Sequence, residues 1–251
     1  MLIDTHCHLN FSPLVEQLEL LLDEARAVGI TQWIVPAVHP DSWQRISTLC
    51  THNPDLRPAY GIHPAHAAEV RAEHLKLLDK IATQGIAIGE IGLDRTSGNF
   101  EQQEALFREQ LRIARRHGLP ALIHCRQAIG RTLEILREEQ AKDNGGIMHA
   151  FSGSVESALE YIKLGFAISL SGTITQGNAL RVQKLARELP LEHLVLETDA
   201  PGQTPACHQG SPNRPAWLLD TATALAATKK IQIKELAEAT TTTARKIIPR
   251  L

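Results

Sequence analysis

The chain has 251 residues, of which 43% are hydrophobic, 22% charged and 4% aromatic. That balance excludes intrinsic disorder and suffices to bury a core without disulfide or metal staples. With 26 Lys and Arg against 28 Asp and Glu the net charge is −2, which excludes a global basic field of the kind that drives non-specific nucleic-acid binding.

Short apolar runs alternate with amphipathic stretches from end to end. The first strand is expected over residues 2–6, with no cationic and apolar leader before it. Leu14, Leu18, Leu21 and Leu22 recur at helical spacing and predict a helix over 14–28, stopped by Gly29. Strands follow at 32–37, 58–62 and 87–91. Leu106, Phe107, Leu111 and Ala114 line one face of a helix over 101–117, closed by Gly118 and Pro120. Strands at 121–124 and 146–149 come next. Ser154 reads as the cap of a helix over 155–164. A strand at 166–170, a helix at 181–189 and a strand at 194–197 complete the alternation. Residues 231–248 read as one or two extra helices packed on the outside.

Eight strands in this length give about 31 residues per unit, the size of a βα repeat. Strict alternation predicts a parallel sheet, and eight units predict a closed single-domain (β/α)8 TIM barrel over 1–251 with extra C-terminal helices. An open doubly wound sheet is the alternative. No glycine-rich phosphate loop follows a strand, so no nucleotide cofactor is expected. No apolar run approaches the ~18 residues of a membrane span. Cysteines stand at 7, 50, 125 and 207 without a Cys-x-x-Cys pair, which reads as reduced thiols in a cytoplasmic protein.

The strand ends carry the chemistry. They read Asp4-Thr5-His6-Cys7-His8, Gly61-Ile62-His63-Pro64, Gly89-Glu90-Ile91-Gly92-Leu93-Asp94, Ile123-His124-Cys125-Arg126, Met148-His149-Ala150-Phe151-Ser152-Gly153 and Glu197-Thr198-Asp199-Ala200-Pro201. Successive His and acid residues are separated by about one repeat or two. On a barrel they meet at the C-terminal mouth, where active sites lie. His6 and His8 share a strand face and Cys7 points the other way. Barrel closure sets strand 8 beside strand 1 and groups His6, His8 and Asp199. Neighbouring strands 5 and 6 group His124 and His149. Glu90 reaches between the groups, which predicts two divalent ions with Glu90 bridging and an activated water as nucleophile. Asp199 is the candidate to orient or deprotonate that water. Cys7 and Cys125 read as small packed residues. Taken singly, His39, His52, His66, His74, His117, His193 and His208 read as ordinary core or surface histidines.

With these segments and Asn213-Arg214-Pro215, the sequence resembles the TatD family of metal-dependent hydrolases from residue 4 to about 215. The resemblance implies a first metal on His6, His8 and Asp199, a second on His124 and His149, and Glu90 as bridge. It implies that His63, in the family's His-Pro element, faces the substrate. TatD relatives include Mg²⁺-dependent deoxyribonucleases that remove nucleotides from DNA ends. Arg95 stands where the family often has an aromatic residue, and Gly202–Pro212 is a variable loop over the mouth.

Phosphodiester cleavage suits such a centre, because two ions stabilise the attacking and leaving oxygens. Arg126, two residues beyond His124, and Arg214 are candidates to hold phosphate, and His63 to bind it or protonate the leaving group. Asp94 and Glu197 are expected behind the ligands, steadying their rings. The substrate expected is DNA or another phosphodiester, with short or single-stranded ends favoured by the scarcity of aromatics. The alternatives are an amide or ester hydrolase on a small molecule and a non-catalytic metal-binding protein. Mixed His and carboxylate donors suit Zn²⁺, Mn²⁺ or Ni²⁺, while the family's nucleases use Mg²⁺. Neither a membrane nor a nucleotide cofactor is an expected partner.

Overall fold

The computed structural model describes all 251 residues. Eight parallel strands pair in chain order: β1 (Leu2–Asp4), β2 (Ile30–Pro36), β3 (Leu56–Tyr60), β4 (Ala87–Asp94), β5 (Ala121–Arg126), β6 (Gly146–Met148), β7 (Phe166–Leu170) and β8 (Leu194–Leu196). Between them run α1 (Leu18–Ala27), α2 (Trp43–His52), α3 (Ala72–Ile81), α4 (Phe100–His117), α5 (Ile129–Glu138), α6 (Val155–Lys163) and α7 (Leu180–Glu188). After β8 come α8 (Leu218–Lys229) and α9 (Ile233–Ile247). This is the (β/α)8 barrel the alternation predicts.

The β8–β1 seam is closed by isolated hydrogen bonds. The Thr5 amide donates to the Leu196 carbonyl at 3.0 Å, and the Asp199 amide to the His6 carbonyl at 2.8 Å. Asp4 completes the seam. Its carboxylate accepts the Thr198 amide at 2.9 Å and the Thr198 hydroxyl at 2.6 Å.

The core has two layers, as strand alternation requires. One residue from each strand, namely Ile3, Ile34, Ala59, Ala87, Leu122, Ile147, Ala167 and Val195, packs into an inner cluster. The other faces meet the helices in a larger cluster around Trp33, Tyr60, Phe107 and Tyr161. The mostly small and β-branched inner side chains fill the barrel, so function is confined to its ends.

The C-terminal helices differ from the expectation in two respects. α8 lies wholly before the expected stretch at 231–248, which holds α9 alone, and packs against α7, completing the helical ring. α9 does not lie on the outer wall. Its Ala244, with Ile248 just past its end, joins the inner cluster. Around it, the Thr241 hydroxyl bonds the Met1 carbonyl, the Thr243 hydroxyl the Glu192 carbonyl, and Arg250 the Thr83 and Gly85 carbonyls. Those carbonyls all precede strands, so α9 and the residues after it close the N-terminal end. A small-residue face does not reveal from sequence which partner it meets.

Candidate metal centre

All of the predicted histidines and acids, with Arg126, stand at the C-terminal mouth. β1 stops at Asp4, so His6 and His8 lie on the extended segment beyond it, where the alternation persists. Their Nε2 atoms converge to 3.2 Å, while Cys7 is fully buried on the other side. Glu90 lies at a register shift between β4 and β5. Glycines make room for it. A Cβ on Gly89 would stand 2.5 Å from the Leu122 Cβ, and one on Gly92, whose φ is 143°, would stand 2.0 Å from the His124 carbonyl oxygen. Asp199 has φ 54°, and Ala150, beside His149, has φ 41°. Left-handed non-glycine backbone of this kind gathers at functional sites, where the surroundings enforce it.

Glu90 divides the donors between its two oxygens. Oε2 is 3.3 Å from His6 Nε2 and 3.6 Å from His8 Nε2. Oε1 is 2.8 Å from His124 Nδ1, 3.5 Å from His149 Nε2 and 3.6 Å from His63 Nε2. Asp199 Oδ1 lies 3.5 Å from His8 Nε2 and 3.8 Å from His6 Nε2. Ligand atoms ~2.1 Å from a shared ion, at angles between octahedral and tetrahedral, are about 3.0–3.4 Å apart. Nitrogen and oxygen atoms at such spacings, buried and with no Lys or Arg among them, fit divalent ions.

Other side chains fix the rings. The carboxylate of Asp94 lies 3.3 Å from His124 Nε2, and its other oxygen accepts the Thr96 amide at 2.8 Å. Buried Gln103 on α4 holds the Asp94 backbone with two bonds of 2.8 Å. Glu197 Oε1 is 2.9 Å from His149 Nδ1 and accepts the Ala150 amide at 2.7 Å. The Nδ1 atoms of His6 and His8 have no protein hydrogen bond, so packing orients these rings. His6 stacks on His149 at 3.8 Å between centroids, and His8 on Phe11 at 4.9 Å.

The electrostatics of the cluster favour cations. Burial opposes ionisation of Glu90, but His149, His6 and His63 outweigh it and hold the carboxyl well below its ordinary range. Asp199 is lowered too: burial opposes its charge, and His149 and His8 prevail. Burial likewise disfavours a charged His149, yet Glu197, Asp199 and Glu90 raise it to about 10. In the metal-free protein a proton on His149 therefore compensates part of the negative charge. His63 goes the other way. Burial, reinforced by His124 and His149 and opposed by Glu90, pushes it down to about 4.

The cluster lines a cavity of about 460 Å³ with Phe11, Pro201 and Gly202 at its wall. A second lobe of about 440 Å³ adjoins it through His124, His149 and Asp199, and Arg126 lines that lobe. A larger cavity of about 680 Å³ continues from there past Ser152 and Gln203 to Arg181.

Arg214 is not brought to the cluster. Its Nη1 is 3.5 Å from Glu24 Oε2 on α1, and its guanidinium lies over Trp217. Its neighbour Asn213 is the residue that meets the mouth. Fully buried, it donates to the Thr198 carbonyl at 2.8 Å and so steadies the segment that carries Asp199. Asp4 was also without a role in the sequence reading, although its place two residues before His6 on the same face was a signal. Burial drives the Asp4 carboxyl up to about 7, against the pull of its Thr198 donors.

A family profile described as TatD related DNase matches residues 3–249. The metal-dependent hydrolase YjjV of Escherichia coli K12 is 36% identical over 219 residues, spanning 85% of this chain and 84% of its own. The metal-dependent hydrolase YabD of Bacillus subtilis is 33% identical over 251 residues, spanning 98% of each chain. The crystal structure of YjjV superposes with a TM-score of 0.95 at 32% identity, covering 100% of this chain and 98% of that one.

Proposed function

The chain belongs to the TatD-related DNase family of metal-dependent hydrolases, and from that premise we propose that it hydrolyses phosphodiester bonds at DNA ends with two divalent ions at the mouth of one barrel domain. The observation that carries this reading is the division of Glu90, one oxygen toward His6 and His8 and the other toward His124 and His149. His6, His8 and Asp199 would hold one ion and His124 and His149 the other, with Glu90 in reach of both groups. Bound there, Zn²⁺, Mn²⁺, Ni²⁺ or Mg²⁺ would supply Lewis-acid activation of a water and neutralisation of charge on phosphate oxygens.

The protein's own groups do the rest. Asp199 is ionised and accepts a proton at a carboxylate oxygen from the attacking water. His63 accepts the Ala65 amide at Nδ1 over 3.1 Å, so in its neutral form the proton sits on Nε2, facing the cavity. That N–H donates to a phosphate oxygen. Burial disfavours the charged ring, which suits His63 to binding phosphate as the neutral imidazole; protonating the leaving group is the other role open to it. Arg126 offers its fork to the same phosphate from the adjoining lobe. No helix is long and apolar enough to cross a membrane, and the four free cysteines fit a cytoplasmic setting.

A second reading, hydrolysis of an amide or ester in a small molecule, is favoured by the size of the inner cavity, which suits a compact ligand. One experiment separates the two. Metal-stripped protein is given Mg²⁺, Mn²⁺ or Zn²⁺ in turn and assayed on bis(p-nitrophenyl) phosphate and end-labelled single-stranded DNA, with Glu90→Ala as control. Metal-restored release of nucleotides, lost in Glu90→Ala, is expected. Two bound ions per chain with neither substrate cleaved would discard the phosphodiester and leave the carbonyl substrate.

A further inference from the structure

His39 and His66 lie outside the set above, yet the structure brings them together at the rim of the same cavity. His39 follows β2 and caps a short 3-10 turn, Pro40–Ser42. His66 and Glu69 belong to the 3-10 turn Pro64–Glu69 after β3. Glu69 offers one oxygen to each ring. Oε2 is 3.5 Å from His39 Nε2, and Oε1 is 3.3 Å from His66 Nδ1. The ring centroids are 4.8 Å apart at 63°, so the rings meet edge to face. One donor atom from each of the three side chains lies within 4.8 Å of the other two.

Two features distinguish this group from an incidental surface ion pair. The first is a carboxylate behind a ring. Asp41 Oδ2 is 3.3 Å from His39 Nδ1, the distance of Asp94 Oδ2 from His124 Nε2, although Asp41 is exposed where Asp94 is buried. His39 Nδ1 also accepts the Asp41 amide at 3.3 Å, so an ion at Nε2 would require the ring proton to move to Nδ1, where the Asp41 carboxylate can accept it. The second is position. His66 lines the cavity that holds His63 and Glu90, and its amide donates to the His63 carbonyl at 3.0 Å. The two histidines are thus one turn apart on a single wall.

We propose that His39, His66 and Glu69 form a third metal site, for a divalent transition ion of the zinc class. Two imidazoles and one carboxylate match Zn²⁺, Co²⁺ or Ni²⁺ and are poor donors for Mg²⁺ or Ca²⁺, which prefer oxygen. Three protein ligands leave a coordination position open. Because His66 stands on the cavity wall, that position takes an anionic oxygen of the substrate away from the scissile bond. The site itself stands apart from the phosphodiesterase reading; its substrate role rests on that reading.

The test counts zinc per chain at micromolar free Zn²⁺, using the intact protein, His39→Ala, His66→Ala and Glu90→Ala. Three ions are expected in the parent and two in either rim variant. Glu90→Ala should lose central occupancy while the rim ion remains, located between His39 and His66 by anomalous scattering at the zinc edge. Equal counts in the parent and both rim variants, with no anomalous peak at the rim, would reduce the group to an ordinary ion pair. A wrong central assignment shows instead as an unchanged Glu90→Ala count, which leaves the rim result readable. The substrate role predicts a several-fold higher KM for bis(p-nitrophenyl) phosphate in His39→Ala with kcat retained. An unchanged KM would overturn that role and leave the ion.

Discussion

Each candidate ligand ring is held by something specific, and the means differ from one ring to the next. His124 and His149 lean on carboxylates, whereas His6 and His8 are stacked between other rings. Carboxylates behind metal-binding histidines fix the ring and raise its basicity, and their loss commonly costs about 10–100-fold in metal affinity. Asp94→Asn keeps the side-chain shape and an oxygen for the Thr96 amide but removes the charge beside His124. The expected outcome is metal affinity lower by about 10–100-fold at one of two central sites, with the fold unchanged by circular dichroism. Unaltered binding in a calorimetric titration would mean that Asp94 serves only its own loop. Asp4 is the contrasting case, because its partners are backbone and hydroxyl donors across the barrel seam. Asp4→Ala leaves the Thr198 amide and hydroxyl and the His6 amide without their acceptor. At about 1–3 kcal/mol for each unsatisfied buried group, thermal unfolding should fall well below that of Asp94→Asn. A variant as stable as the parent would show that the seam closes without it.

At the scale of elements, the sequence was most informative where a residue pattern and a chain stop coincide. The helix over 101–117 and the Ser154 cap emerge within a residue of expectation, and Ser154 accepts the Ser157 amide at 3.2 Å. Strand centres were legible and strand ends were not, since His6 and His8 follow β1 beyond its last ladder bond, and Asp199 lies beyond β8 in left-handed backbone. α2, α3 and α5 went unread. They are ten-residue helices with few buried positions, which leaves the apolar repeat too short to stand out. The ligand residues were legible because chemistry recurs once per repeat, whereas the direction of Arg214 depends on Glu24, a contact far away in sequence. α5 also depends on its neighbour. Buried Glu139, just beyond its last turn, accepts Arg108 and Arg112 from α4, with three bonds of 2.9 Å. Burial works against the Glu139 charge, but Arg112 and Arg108 prevail and lower its carboxyl below the ordinary 4.5. A lowered folded value means a contribution fully present above the unfolded value and lost as pH falls through the folded one. Glu139→Gln should therefore cost about 2 kcal/mol near pH 7, from the charge-assisted bonds it loses. That deficit should shrink steadily below about pH 4.5, as urea titrations of both proteins would report. A deficit independent of pH would assign the effect to packing.

Across the whole molecule, the net charge of −2 and the geometry of the mouth constrain how a polyanion is held. With no global field, attraction must come from the bound ions and the few donors at the cavity, chiefly Arg126 and His63. Two or three phosphates contacted in this way, at about 0.7 counterions released per phosphate of single-stranded DNA, give a slope of about −1.5 to −2 for log affinity against log salt. Measuring KM for a short single strand from about 50 to 200 mM salt should then show a loss of roughly one decade, far less than a protein that tracks many phosphates. The alternative is geometrically available. The larger cavity beyond Ser152 and Gln203 leads to Arg181, and a strand laid along it would meet further backbone donors. A slope steeper than about −4 would require such a track, and Arg181→Ala would then flatten it. A shallow slope indifferent to Arg181→Ala would confine recognition to the terminal nucleotides, in keeping with the proposed action at DNA ends and with a charge too even to grip duplex along its length.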